Sequence, residues 1–319
     1  MSPTLLAFLI SALLALACGL PLGDPHRQAQ DGPNSVLQPG KPHKKVLLSS
    51  VRRLWAEIRE EEDPDTPDQI LKVNEHLMTG RPPAEGPPII FGDIAVDPLG
   101  NADRCASDRC RWPSADNGQV VVPYIISESY SSSEQAVIES GLRSFSTRTC
   151  IMFRPRSNER DYISIESQSG CFSFIGRVQG RQVVSLQKQG CVFQGIVQHE
   201  LLHALGFHHE QNRSDRDGFV DIFFQNIMPG MESNFRKVQT NNLGTRYDYS
   251  SVMHYGRTAF SRNGRPTIVP KPDPNVAIGN RRDFSPEDIT KVNRLYCSRI
   301  WNQNRLLRDK AQPEEDRRL

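Results

Sequence analysis

HELLHALGFHH, residues 199–209, decides the fold of this 319-residue chain, because it sets three spaced histidines and a glutamate in the pattern of a catalytic metal site. His199 and His203 are four apart, so on an α-helix they share one face with roughly 5 to 6 Å between Cβ atoms. Glu200 lies about 100° round that helix from His199, poorly placed as a ligand and well placed to meet water at the metal. His209 would sit about 240° away from His203 if the helix continued. The helix must therefore end between them, and Gly206 supplies the break, since glycine enters left-handed backbone without a Cβ clash. Three neutral imidazoles suit one Zn²⁺ ion per chain and leave coordination positions open, whereas structural zinc sites are closed by four ligands rich in cysteine. Open zinc acidifies water and polarises a carbonyl, so with Glu200 as general base the expected reaction is amide hydrolysis. The competing explanation is an accidental cluster on an amphipathic helix, with Leu201, Leu202, Ala204, Leu205 and Phe207 as its core stripe. Five specified positions should match by chance in on the order of 10⁻⁵ of such sequences.

Downstream, residues 251–255 read SVMHY. An HExxHxxGxxH run followed by a methionine turn marks the metzincin proteases. The pairing of HELLHALGFHHEQNRSDRD with YDYSSVMHYG closely resembles the astacin family of zinc endopeptidases, with Glu210 after the third histidine and Tyr255 two residues after Met253 as that family's marks. The resemblance runs from about Asn101 to Cys297. It implies that Met253 forms a hydrophobic floor beneath the metal, and that Tyr255 is a mobile zinc ligand of the mature form that swings to stabilise the oxyanion. A neutral phenol is a weak ligand but a good donor, which agrees with that role. Met253 and Tyr255 taken alone would read as ordinary core packing, and His208 and His254, which fit no ligand position, read as packing groups or as supports behind the ligands.

Leu5 to Ala17 is an apolar run too short to span a bilayer and suited to a signal-peptide core, although a basic n-region is missing. A buried N-terminal helix is the alternative reading. The expected organisation is a signal peptide over 1–20, a propeptide over 21–100, a catalytic domain over 101–298 and a charged tail over 299–319 without core pattern. The expected location is extracellular, and storage in secretory granules is compatible with it. Seven cysteines agree, since Cys18 ends the signal segment and leaves Cys105, Cys110, Cys150, Cys171, Cys191 and Cys297 as an even set for an oxidising compartment. Sequence alone leaves the pairing open. The resemblance implies Cys150 with Cys297, Cys171 with Cys191, and a short Cys105–Cys110 loop.

The propeptide region is proline-rich and charged, with helical patches near Val46–Glu62 and Asp68–Leu77. Phe91-Gly92-Asp93 matches a prosegment motif whose aspartate resembles a plug on the zinc, a carboxylate being a competent zinc ligand. A simple Gly-Asp turn is the plainer alternative. Asp93 is thus the expected ligand of a latent form, and activation requires an activating protease to cut between Asp93 and Cys105. The family pattern suggests Asn101 as the mature start, but Leu99 and Gly100 precede it and the nearest basic residue is Arg104. Relatives bury the new amino terminus near the glutamate that is Glu210 here.

Strand patterns fall at Val120–Ile126, Ile151–Phe153, Tyr162–Ile165 and Gln182–Leu186, with a helix over Ser133–Thr147. This order predicts an α+β zincin: a twisted mixed sheet with the zinc helix in the N-terminal half, and a loop-rich C-terminal half ending in a helix over Pro286–Tyr296. A cleft between the halves would take extended peptide along a sheet edge. Ser285 before Pro286 and Glu287 is a good helix start. Asn212-Arg213-Ser214 is a glycosylation sequon crowded against His209, and Arg213, Asp215, Arg216 and Asp217 read as an ion network supporting the site, with plain surface solvation as the rival reading.

Net charge is +2, from 39 basic against 37 acidic residues without a basic stripe, which argues against nucleic acid as a partner. No other segment is apolar enough for a membrane span. The expected partners are extracellular protein or peptide substrates, with the chain acting as a monomer. The rival class is a secreted binding module that keeps the zinc fold without catalysis, though such a module needs neither Glu200 nor Tyr255. Six cysteines and the absence of appended domains make the chain similar to hatching-enzyme-like astacins, which degrade egg-envelope protein. Compact astacins also digest other extracellular proteins.

Overall fold

The computed structural model describes residues 66–79, 86–96, 110–279 and 282–297. The expected signal segment, the Val46–Glu62 patch, Asn101, Arg104, Cys105 and the charged tail lie outside these residues. Alternating β-branched and aromatic side chains build the centre of the sheet: β3 (Val120–Ile126), β4 (Ile151–Pro155), β5 (Tyr162–Glu166) and β7 (Arg181–Leu186) run parallel to one another. A further strand, β6 (Cys171–Phe174), pairs antiparallel with β7. Beyond it come β2 (Ile94–Ala95), parallel to β6, and β1 (Ile89–Ile90), antiparallel to β2. The order is β1-β2-β6-β7-β5-β3-β4.

Two helices pack against this sheet. α2 (Ser132–Ser146) begins in a capping box between Ser131 and Glu134, which satisfies donors that a helix start leaves unpaired. α3 (Gln194–Ala204) carries HELLHA and is buried over every residue from Gly195 to Ala204. A helix apolar on most sides belongs inside a core, and Ile196, Val197, Leu201 and Leu202 join the cluster formed by the sheet and α2. Gly141 sets the distance between the helices: a Cβ there would stand 2.5 Å from Val197 Cγ1.

The C-terminal half holds short 3₁₀ turns, the two-stranded pairing of β8 (Val220–Ile222) with β9 (Ile268–Pro270), and a late helix, α4 (Pro286–Tyr296). It has its own apolar cluster around Phe235, Tyr255, Phe260 and Ile268. Met253 belongs to the first cluster and Tyr255 to the second, so the SVMHY turn crosses from one core to the other. Upstream, α1 (Thr66–Thr79) places Ile70 in the first cluster and Leu71 in the second. Cys150 is bonded to Cys297 across 147 residues, joining β4 to the end of α4, and Cys171 is bonded to Cys191. Cys110 is also disulfide-bonded.

The strand at Cys171–Phe174 escaped the sequence reading because it is short and carries a cysteine and a serine; its extended form comes from neighbours on both sides. Asn212 meets a physical obstacle as a glycan acceptor. Its side chain is 1% exposed, and Nδ2 donates to the carbonyls of Asn234 at 3.0 Å and Arg236 at 2.7 Å. Gly141→Leu is expected to force α2 and α3 apart at a destabilisation of about 1–3 kcal/mol, read as a lower denaturant midpoint. An unchanged midpoint would show that the two helices have slack at this contact.

Candidate metal centre

α3 presents His199 and His203 on one face, their ring centroids 4.8 Å apart. The helix stops at Ala204, and Gly206 reverses the chain at φ +102°. The carbonyls at this ending are met from outside the helix: the Trp112 indole donates to Ala204 at 2.9 Å and the Tyr296 hydroxyl to Leu205 at 2.8 Å, while Gly176 N–H joins Gly206 N–H on His203, each at 2.8 Å. The reversed chain returns His209 to within 4.7 Å of His203 and 5.3 Å of His199, centroid to centroid.

Opposite the three rings lies Asp93. Its carboxylate oxygens stand 3.0 Å from His199 Nε2, 3.3 Å from His203 Nε2 and 3.0 Å from His209 Nε2, and all four side chains are fully buried. One ligand atom from each of the four lies within 4.8 Å of the others. Two tautomers are fixed from behind. His199 Nδ1 lies 2.9 Å from the Val252 carbonyl and His203 Nδ1 2.7 Å from that of Phe207. A carbonyl only accepts, so each Nδ1 carries a proton, and in the neutral ring Nε2 is left with a lone pair facing the carboxylate. Two acceptors at such distances repel unless a cation lies between them. Burial pushes the His203 and His209 imidazoles down, His209 to about 3, which keeps both rings neutral. Neutral imidazoles and a carboxylate in tetrahedral number are a donor set that zinc favours.

Glu200 is also fully buried, and neither of its carboxylate oxygens has a hydrogen-bond partner. Burial, with the charge of Asp93 adding to it, holds its carboxyl well above the usual range. Tyr255 is fully buried, its ring 4.4 Å from that of His209, and its hydroxyl donates to the Phe91 carbonyl. Gly92 permits that approach, because a Cβ there would stand 2.7 Å from the Tyr255 oxygen. Asn74 of α1 braces the same segment: Nδ2 donates to Gly92 at 2.8 Å and to the Cys171 carbonyl at 2.6 Å, while Oδ1 accepts from Cys171 N–H at 2.8 Å.

The loops behind the histidines are held by buried carboxylates. Glu210 Oε2 lies 2.5 Å from Lys291 Nζ, and Oε1 accepts from Arg213 at 3.0 Å and from Asp248 N–H at 2.8 Å. Arg213 grips Asp215 in a two-pronged pair at 2.9 and 2.8 Å, and Arg216 donates to the Gln211 carbonyl at 2.9 Å. Asp288 of α4 accepts from the Ser251 hydroxyl at 2.6 Å and from the amides of Val252 and Ser285 at 3.0 Å each. The Met253 carbonyl accepts from Glu210 N–H at 3.1 Å. Asn74, Lys291 and Asp288 were not singled out in the sequence. Only Asp288 left a signal there, as the fourth residue of a Ser-Pro-Glu-Asp helix start. His254 and His208 stand outside the cluster of ligand atoms.

Residues 107–297 match the model of the Astacin family, peptidase family M12A. The chain belongs to the astacin family. It is 52% identical over 212 residues to High choriolytic enzyme 1 of Oryzias latipes, a match covering 66% of this chain and 78% of the relative. Low choriolytic enzyme of the same fish is 46% identical over 242 residues, covering 75% and 86%. Among solved structures, High choriolytic enzyme 1, described as a hatching enzyme zinc-protease from medaka, shares 54% identity with a TM-score of 0.59, covering 61% of this chain and 98% of that one. Like other astacins, the protein is a zinc-dependent metalloendopeptidase acting on protein substrates. No helix among the described residues is long and apolar enough to cross a membrane.

Asp288→Ala would leave the buried Ser251, Val252 and Ser285 donors without their acceptor, each at about 1–3 kcal/mol. The expected result is a loss of about 3 kcal/mol in denaturant unfolding, together with weaker zinc retention, since Val252 orients His199. Wild-type stability in this variant would contradict the bracing role.

Proposed function

We propose that this astacin is a secreted zymogen whose processed form cleaves extracellular protein, with egg-envelope protein as its substrate class. The observation that supports latency most directly is the Asp93 carboxylate lodged among the three imidazoles, with the Phe91 carbonyl engaging Tyr255 two residues away. His199, His203 and His209 would hold the zinc, with Asp93 as the fourth ligand of the precursor and Tyr255 available to the processed form. Zinc bound there supplies Lewis acidity to a water molecule and to the scissile carbonyl.

The chain's own groups do the rest. Asp93 fills the position a water would need, and removal of the segment that carries it opens that position. Glu200, one residue from His199 and without another partner, takes the proton of the attacking water and passes it to the leaving amine. Burial, the largest influence on it, holds the Tyr255 phenol well above its ordinary range, which favours a neutral donor for the oxyanion. The substrate class rests on the medaka choriolytic enzymes, which the chain resembles over most of their length.

Asp93→Ala should give measurable peptide cleavage in the uncut precursor, where the wild-type precursor is silent; equal silence in both would count against the plug. In processed protein, Glu200→Gln should lower kcat by about 10²–10⁴-fold while zinc content stays at one per chain. A strong chelator should abolish cleavage and added Zn²⁺ restore it, and chelator-resistant activity would contradict a metal mechanism. Solubilisation of isolated egg envelope by processed protein, measured beside collagen and casein, decides the substrate class.

A further inference from the structure

Tyr255 lies outside every helix and strand, so no ladder holds its main chain. Buried side chains hold it instead. Its N–H donates to Gln211 Oε1 at 3.0 Å, and its carbonyl is 2.8 Å from His254 Nδ1. A carbonyl only accepts, so His254 Nδ1 carries the proton and donates. That leaves Nε2 as an acceptor for the Tyr247 hydroxyl 2.8 Å away, and the chain of bonds runs from Tyr247 through His254 to Tyr255.

Each member of the chain is itself fixed. The Tyr247 ring stacks on Phe219 with centroids 4.8 Å apart and planes 9° apart. Gln211 Nε2 donates to Asn212 Oδ1 at 3.2 Å, which orients its amide so that the oxygen faces Tyr255. The Gln211 carbonyl is held in turn by Arg216. Gln211, His254 and Tyr255 are fully buried and Tyr247 nearly so.

We infer that Gln211, His254 and Tyr247 are positioning residues that clamp the main chain of Tyr255, so that its hydroxyl moves between two partners by side-chain rotation from a fixed Cα. The inference rests on the proposed role of Tyr255 as donor to the developing oxyanion. In the form described, the hydroxyl is engaged by Phe91, a residue upstream of the family match. Once that partner is gone the hydroxyl must find a new place, and with both main-chain groups pinned the arc it sweeps is set in advance. Pre-set geometry of this kind matters for turnover, since a misplacement of about 1 Å at a reacting group costs up to ~100-fold.

The test is a double-mutant cycle on processed, zinc-loaded protein. His254→Phe and Gln211→Leu should each lower kcat by about 10- to 100-fold with KM little changed. His254→Asn, whose amide can donate from the position of Nδ1, should recover most of the loss. In a Tyr255→Phe background the same substitutions should have almost no further effect, because their target is already missing. Hydrogen exchange of the Tyr255 amide should accelerate in Gln211→Leu of the full-length protein. If His254→Phe fails to fold, Tyr247→Phe carries the cycle, with a smaller loss of kcat expected. Losses that multiply fully with that of Tyr255→Phe, or wild-type kcat and exchange in folded variants, would overturn the clamp. Full activity in Tyr255→Phe itself would instead sink the role assigned to Tyr255, and the clamp with it.

Discussion

One helical face can present two imidazoles to a common point but not the third, so the metal centre depends on the chain reversing within a few residues of His203. The left-handed backbone at Gly206 makes the reversal, and its cost is not only conformational. Ending a helix inside a core strands carbonyls that water cannot reach. The indole of Trp112, the hydroxyl of Tyr296 and the amide of Gly176 meet those carbonyls, and they come from the region before β3, from the end of α4 and from the loop after β6. Three distant parts of the chain therefore converge on one helix end.

The C-terminal half solves a related problem by other means. It has little ladder to organise its backbone, and buried carboxylates serve as hubs. Glu210 gathers Lys291, Arg213 and the amide of Asp248, and Asp288 gathers Ser251, Val252 and Ser285. A buried charge is tolerable only when several donors share it. Arg213, Asp248, Ser251 and Val252 belong to the loops that carry the third histidine and the methionine turn, while Lys291 and Ser285 belong to α4 and its cap, so each carboxylate ties those loops to the helix.

The legible parts of this protein were those in which local spacing carries the chemistry. His199, Glu200, His203, Gly206 and His209 lie within eleven residues, and their arrangement follows from helix geometry and one glycine. The sheet was legible where β-branched residues run in sequence, as at Val120–Ile126, and illegible at Cys171–Phe174, where strand form is imposed by partners far along the chain. The same distinction explains the missed side chains. Asn74 acts on Cys171 and Gly92, Gln211 on Tyr255, and Lys291 on Glu210, each across a gap that no local pattern bridges. Asp93 was approachable through its short Phe-Gly-Asp motif, but that its carboxylate meets all three imidazoles at once is a tertiary fact.

The β6 edge illustrates how one arrangement can serve two ends. β2 adds to that edge in parallel, and where β2 stops, the amide of Asn74 takes over, offering Cys171 a donor and an acceptor as a neighbouring strand would. An unpaired strand edge is a template for any extended backbone that meets it, including another copy of the same protein. While this cover is in place the edge is closed to such pairing. The stretch that brings Asp93 to the three imidazoles thus also covers the β6 edge, and the same few residues that fill the space between the rings keep that edge from pairing with another copy of the chain.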